Sequence, residues 1–236
     1  MRLILQAKVI TRKPSKWNIK PDEGEPVLTE SWDQGCQHNQ VPYVSAVKNL
    51  PEVWYHGSDR PRSEWVLDNV GLKGANDNQG PGLYFTSDLR NARSYGENIA
   101  FVKLNLRKLV PRVGSVWRYR DRIEWLIKRA PDYKETLENW GEDYYKALRD
   151  AVNGMITYSD GPFDAFTQVW ADFYPGDAKS YLERMSQWWD GTVVTMESAY
   201  YGQVRHAIVF NPLKIKTIRL TTRTELDREN ERSILH

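Results

Sequence analysis

At 236 residues, 40% of them hydrophobic, the chain is long enough to bury a core of its own, and 10 Trp with 13 Tyr supply bulk to fill it. A formal charge of +2 excludes a protein that binds polyanions over its whole surface. The single cysteine, Cys36, excludes an intrachain disulfide and suits a reducing compartment, and the lone Cys36-Gln37-His38 pair is too small for a metal-ligand set, so no metal is expected.

In chain order, Arg2 to Ile10 alternates as an outer strand. Arg2, Gln6 and Lys8 interrupt its apolar run, so it reads as neither signal peptide nor membrane span, and a cytoplasmic protein is expected. Residues 11–40 are rich in Pro, Gly, Asn and charge without any period, and read as a surface arm or lid. Val44 to Leu50 is a short helix or turn. Val53 to Ser58, VWYHGS, is an apolar and aromatic run whose end leaves His56, Gly57 and Ser58 at the close of a strand. Ser63 and Glu64 open a helix to about Val70, and Gly71 to Gly82 is a glycine-rich polar loop that lacks the spacing and lysine of a P-loop.

Gly80-Pro81-Gly82 makes a turn, Leu83 to Phe85 a second short strand, and Ser87 or Asp88 caps a helix carrying Ala92 and Tyr95. A strand, turn and helix thus bring Tyr84 and Tyr95 together as two rings between which a flat heteroaromatic can stack. Gly57 has no side chain, so its backbone N–H and C=O can meet a carboxamide closely. Together these describe a nicotinamide site.

Ile99 to Leu106 alternates as a strand. Residues 115–188 read as a helical insertion with segments near Arg118 to Lys128, Tyr133 to Val152, Pro162 to Phe173 and Asp177 to Trp189. Charge is segregated here. From Lys103 to Lys134 there are ten basic residues against three acidic, interleaved with Trp117, Tyr119, Trp125 and Tyr133. That stretch reads first as a solvated helix face and second as an attractor of nucleic acid or another acidic target. Strands return at Thr192 to Met196, His206 to Phe210 and Lys214 to Leu220, and the charged tail 221–236 is expected to be flexible.

His56-Gly57-Ser58, Gly80 to Phe85 and the eleven-residue step from Tyr84 to Tyr95 resemble the ADP-ribosyltransferases of the histidine-tyrosine-glutamate class, on the diphtheria toxin and poly(ADP-ribose) polymerase side. The likeness is greatest to the compact domains embedded in phage and mobile-element polyvalent proteins. Downstream, Asp190-Gly191, Ile208 to Pro212 and Ile215-Lys216 match the family's third motif. The resemblance spans Val53 to Leu106 and Asp190 to Leu220. It implies an α+β fold, a split mixed β-sheet core with a helical insertion in one domain over residues 1–220, and NAD as substrate.

By the same resemblance, His56 hydrogen-bonds the adenosine ribose, Ser58 belongs to the cofactor motif, Gly57 holds the carboxamide, and Tyr84 and Tyr95 stack on nicotinamide. Ala92 stands where a small hydroxyl residue often helps hold the amide. Counting back from Phe210 puts His206 where the family has its catalytic glutamate, so Glu197 or Gln203 is a candidate to take over that role. Family members without the glutamate still transfer one ADP-ribose, which implies a mono-ADP-ribosyltransferase, a glycosyltransferase that releases nicotinamide and modifies a protein or nucleic-acid acceptor. Water (an NAD glycohydrolase) or an RNA 2′-phosphate are alternative acceptors. A non-catalytic NAD- or ADP-ribose-binding module is the third reading.

Overall fold

The computed structural model describes residues 50–62, 64–68, 70, 80–138, 141, 143–198 and 202–234. The expectations for the strand at 2–10, the arm at 11–40, the segment 44–49 and most of the glycine-rich loop lie outside these residues. The architecture is α+β. Strands β1 (Trp54–Ser58), β2 (Leu83–Thr86), β3 (Asn98–Leu104), β4 (Gly191–Ser198), β5 (Gly202–Val209) and β6 (Ile215–Thr222) form one sheet in the order β4-β5-β2-β1-β3-β6.

Every ladder in the sheet is antiparallel, which corrects the expected mixed sheet; a lone parallel bridge joins Leu109 to Gly191. The ladders are long except at one seam. Between β1 and β2 the register is a single pair, Tyr55↔Thr86, so ladder pairing joins the two three-stranded halves of the sheet at one point. The site lies at that seam.

Helix α1 (Leu89–Arg93) follows β2 and is capped by Asp88, whose side chain accepts from the Arg90 and Asn91 amides. Ser87 instead fastens β2 to β5, its amide donating to the Arg205 carbonyl and its hydroxyl accepting from the Arg205 amide, both at 2.8 Å.

Between β3 and β4 come a 3₁₀ turn (Val116–Tyr119) and helices α2 (Arg120–Ile127), α3 (Tyr133–Glu138), α4 (Tyr144–Tyr158), α5 (Pro162–Phe173) and α6 (Ala178–Met185). Their apolar positions recur at helical spacing, as Ala147, Leu148, Ala151, Val152, Met155 and Ile156 do on α4, and those positions are the buried ones. Buried phenols tie the layer together, Tyr174 donating to the Leu126 carbonyl and Tyr181 to that of Phe166. Phe163 stacks on Phe210 at 6.4 Å, so helices and sheet share one core.

Three local expectations are corrected. The helix expected over Tyr133 to Val152 breaks in two, because Gly141 has φ 148° and Asp143 starts α4 as a fresh cap on the Lys146 amide. No helix forms among the described residues of 64–70: Trp65 packs edge-on against His56 at 5.2 Å and donates Nε1 to Thr217, and the segment closes in a turn where the Val70 amide donates to the Leu67 carbonyl. The tail expected to be flexible forms α7 (Arg223–Ile234). Thr222 and Glu225 build a reciprocal capping box, the Glu225 amide donating to the Thr222 hydroxyl and the Thr222 amide to the Glu225 carboxylate. Glu97 accepts from the Thr224 amide and hydroxyl, and Arg93 pairs with Asp227, so the helix is tied back to the sheet.

Candidate functional site

Strand alternation decides what each face of the seam presents. Residues directly opposite on antiparallel strands share a face, as do i and i+2 on one strand. The register Tyr55↔Thr86↔His206, with Tyr84 two before Thr86 and Gly57 two after Tyr55, therefore puts Gly57, Tyr84 and His206 on one face. Helix α1 covers Gly57 on that face. A Cβ on Gly57 would lie 1.8 Å from the Ala92 carbonyl oxygen and 3.3 Å from the Tyr95 Cβ. Glycine is thus required for α1 to sit down on β1, a packing demand additional to the carboxamide role expected of it.

Tyr95 stands just past α1 with 56% of its surface exposed, over Gly57, so its ring is available to a ligand. Tyr84 is half-buried and its hydroxyl donates to the Gly80 carbonyl. Ala92 is fully buried, so it contributes backbone and packing rather than a contact to any ligand.

His56 projects to the other face, where its ring meets Trp65 and Phe85. Its Nδ1 lies 2.7 Å from the Tyr84 carbonyl oxygen, and since a carbonyl can only accept, Nδ1 carries the proton. Nε2 is then a bare lone pair, buried and without a hydrogen-bond partner. Burial holds the imidazole neutral, its pKa lowered to about 4; the bond to Tyr84 pulls the other way and the Arg62 charge adds to the lowering. So one strand end offers an acceptor lone pair on one face and a close-packed backbone on the other.

The His56 face opens into a cleft of about 240 Å³. Two cross-strand rows floor it, His56-Ala100-Leu220 and Ser58-Asn98-Thr222. Arg62 overhangs it, half-buried and stacked at 5.8 Å from the Trp65 ring centre, with no carboxylate in salt-bridge reach among the described residues. Burial lowers the Arg62 pKa. Glu225 also lines the cleft, but its carboxylate is engaged by Thr221 and Thr222. Ser58 donates to the Arg60 carbonyl at 2.5 Å. Arg62 and Asn98 escaped the sequence reading because only the strand register places them beside His56.

At the third motif, Asp190 is a structural staple. It accepts from the Arg107 and Lys108 amides at 2.7 and 2.8 Å and pairs with Lys214 at 3.0 Å. Burial alone would raise its pKa, but these three partners outweigh it and hold the carboxyl below the usual range. Gly191 lets β4 close on β5, since a Cβ there would lie 2.2 Å from the Ile208 carbonyl oxygen.

His206 sits between Thr86 on β2 and Val194 on β4, on the Gly57 face. Gln203 is exposed and three residues earlier on β5, so alternation turns it to the opposite face; it is not brought together with Tyr84. Glu197 is placed by register alone, opposite Gln203. Among the described residues no cluster of His, Cys, Asp or Glu could hold a metal ion, and no helix is long and apolar enough to cross a membrane.

The chain matches no protein-family model and no curated protein. Among solved structures, that of an anti-CRISPR protein is similar at 13% identity and a TM-score of 0.30, over 70% of this chain and 94% of that one. A likeness of that size carries no argument.

Proposed function

We propose that the protein is an NAD-dependent mono-ADP-ribosyltransferase that moves ADP-ribose from NAD to a protein or nucleic-acid acceptor and releases nicotinamide. The observation that carries this is the state of His56: neutral, fixed by Nδ1 on the Tyr84 carbonyl, with an unpartnered Nε2 able to accept from a ribose hydroxyl. Gly57, next along the chain, faces the other side of the seam beneath Tyr95 and beside Tyr84. A dinucleotide bound across the seam would set its adenosine half in the cleft on the His56 face, where the Arg62 guanidinium has hydrogen-bonding capacity for phosphate, and its nicotinamide against Tyr84 and the exposed Tyr95 ring rather than on Gly57, which α1 covers. Water or a 2′-phosphate as acceptor would use the same NAD site.

A non-catalytic NAD-binding module is the second reading, and what favours it is His206 on the face where the family resemblance asks for a glutamate. The test has two arms. NAD and ADP-ribose titrated into the protein should bind, and Tyr84→Ala should weaken NAD far more than ADP-ribose, because only NAD has the nicotinamide ring. Nicotinamide release, measured with and without acceptor extracts, should exceed the protein-free rate. NAD binding unaffected by Tyr84→Ala removes the basis of the proposal, and binding without any release leaves the module reading standing. Labelled NAD should give single adducts, never ladders.

A further inference from the structure

The basic stretch between Lys103 and Lys134 does not form a uniformly solvated helix face. Arg122, Trp125 and Arg129 recur at a spacing that puts them on one side of α2 and its C-terminal turn. The chain after α6 adds Trp188, whose ring packs edge-on against Trp125 at 4.8 Å. The Arg129 guanidinium lies 3.9 Å from the Trp125 ring centre, and that of Arg122 lies 5.5 Å from Trp188 and 4.7 Å from Trp189. The result is a continuous strip in the order Arg122, Trp188, Trp125, Arg129, roughly 10 Å long at 1.5 Å per residue.

Its electrostatics point outward. Both arginines are exposed, and neither has a carboxylate within salt-bridge distance among the described residues. Of the two acids on α2, Asp121 and Glu124, the second is already taken by Lys128 at 2.6 Å, which leaves the strip with excess positive charge. A guanidinium stacked on indole keeps its N–H edge free for phosphate and shows a flat outer face on which a base can stack. Exposed cation–π pairs stabilise only weakly, which by itself is a slight reason to keep two tryptophans half out of the core.

We propose that this strip binds single-stranded nucleic acid through phosphate contacts from Arg122 and Arg129 and base stacking on the arginine and tryptophan planes. A duplex hides its base faces, and an acidic peptide has no use for the stacking platform, so a single strand fits both halves of the chemistry. The net charge of +2 is no obstacle, because the excess is local: ten basic against three acidic residues from Lys103 to Lys134. The inference stands apart from the cofactor reading and needs no NAD.

The test is fluorescence anisotropy of the full chain with short labelled oligo(dT) and oligo(U), alongside a duplex and polyglutamate. Both single strands should bind at about 50 mM salt, weaken steeply by about 200 mM, and quench tryptophan emission. The double variant Arg122→Glu, Arg129→Glu should lose affinity by roughly ten- to a hundredfold while remaining folded by circular dichroism, with a melting temperature lowered by no more than a few degrees. Arg122→Lys with Arg129→Lys keeps the charge, so it should retain the salt dependence and lose most of the quenching. Absence of single-strand binding at about 50 mM salt, affinity unmoved by charge reversal, or equal affinity for duplex or polyglutamate overturns the proposal.

Discussion

His56 ties the candidate site to the stability of the fold, and lowering the pH tests that tie. With its pKa at about 4 in the folded chain against about 6.5 unfolded, the unfolded chain takes up the proton first between those values. Stability is therefore full above pH 6.5, falls as the pH drops below it, and stops falling on this account near pH 4. At 1.36 kcal/mol per pKa unit the loss reaches about 3 kcal/mol. Urea unfolding at several pH values measures it, with His56→Asn as reference: the asparagine amide can still donate to the Tyr84 carbonyl but does not titrate. The carboxylates that protonate in the same range act on both proteins, so the difference between them isolates His56. That difference should shift toward the variant by about 3 kcal/mol between pH 7 and pH 4. A constant difference refutes the assignment of a neutral, buried imidazole. In the same series ADP-ribose affinity should hold from pH 8 to about pH 5.5, because Nε2 keeps its lone pair; a fall centred near pH 6.5 would mean that the ring titrates as in free solution.

Gly57→Ala drives a Cβ into the Ala92 carbonyl, a backbone atom that cannot swing away, so it should lower stability by about 1–3 kcal/mol or more and abolish cofactor binding, read by thermal melting and titration. His206→Glu should raise nicotinamide release by about two to three orders of magnitude and leave NAD affinity within a fewfold. Gln203→Ala should change neither, since alternation turns that side chain away, and Glu197→Gln should do the same, since Glu197 shares the register row of Gln203 rather than that of His206; loss of release in Glu197→Gln would refute the register argument.

How much of the fold and site was legible depends on how local each cause is. The strand ending in His56-Gly57-Ser58, the Gly-Pro-Gly turn into Leu83 to Thr86 and the Asp88 cap all arise from neighbours in sequence. So does α5, where Pro162 at the first turn and the apolar spacing of Phe163, Phe166, Val169 and Phe173 state the helix outright. The terminal helix was missed although its start is local: Thr222-Arg223-Thr224-Glu225 is a capping box, and the polar run 227–233 after Leu226 masked it. Gln203 is a matter of counting: an odd step from His206 on one strand must change faces. What no local pattern carries is register. The Trp65 bond to Thr217 crosses 152 positions, and the row Ser58-Asn98-Thr222 that floors the cleft exists only once three strands pair. Arg62 becomes a candidate site residue only through that row.

The seam also separates two properties that are usually lost together. The groups that the proposed reaction would use to hold NAD stand on β1, β2 and the turn after α1, whereas His206, which it would set beside a developing positive charge, stands on β5. In the proposed reaction, a carboxylate about 4 Å from that charge is worth roughly 4 kcal/mol at an effective dielectric near 20, or about three orders of magnitude in rate. A neutral imidazole at His206 offers a dipole and a hydrogen-bond acceptor in its place, and when protonated it repels the cation. On the proposed reading, His206 therefore bears on turnover rather than on affinity. Slow release of nicotinamide from a tightly bound NAD is then the signature expected of this chain, and binding and release have to be measured separately before either is used to infer the other.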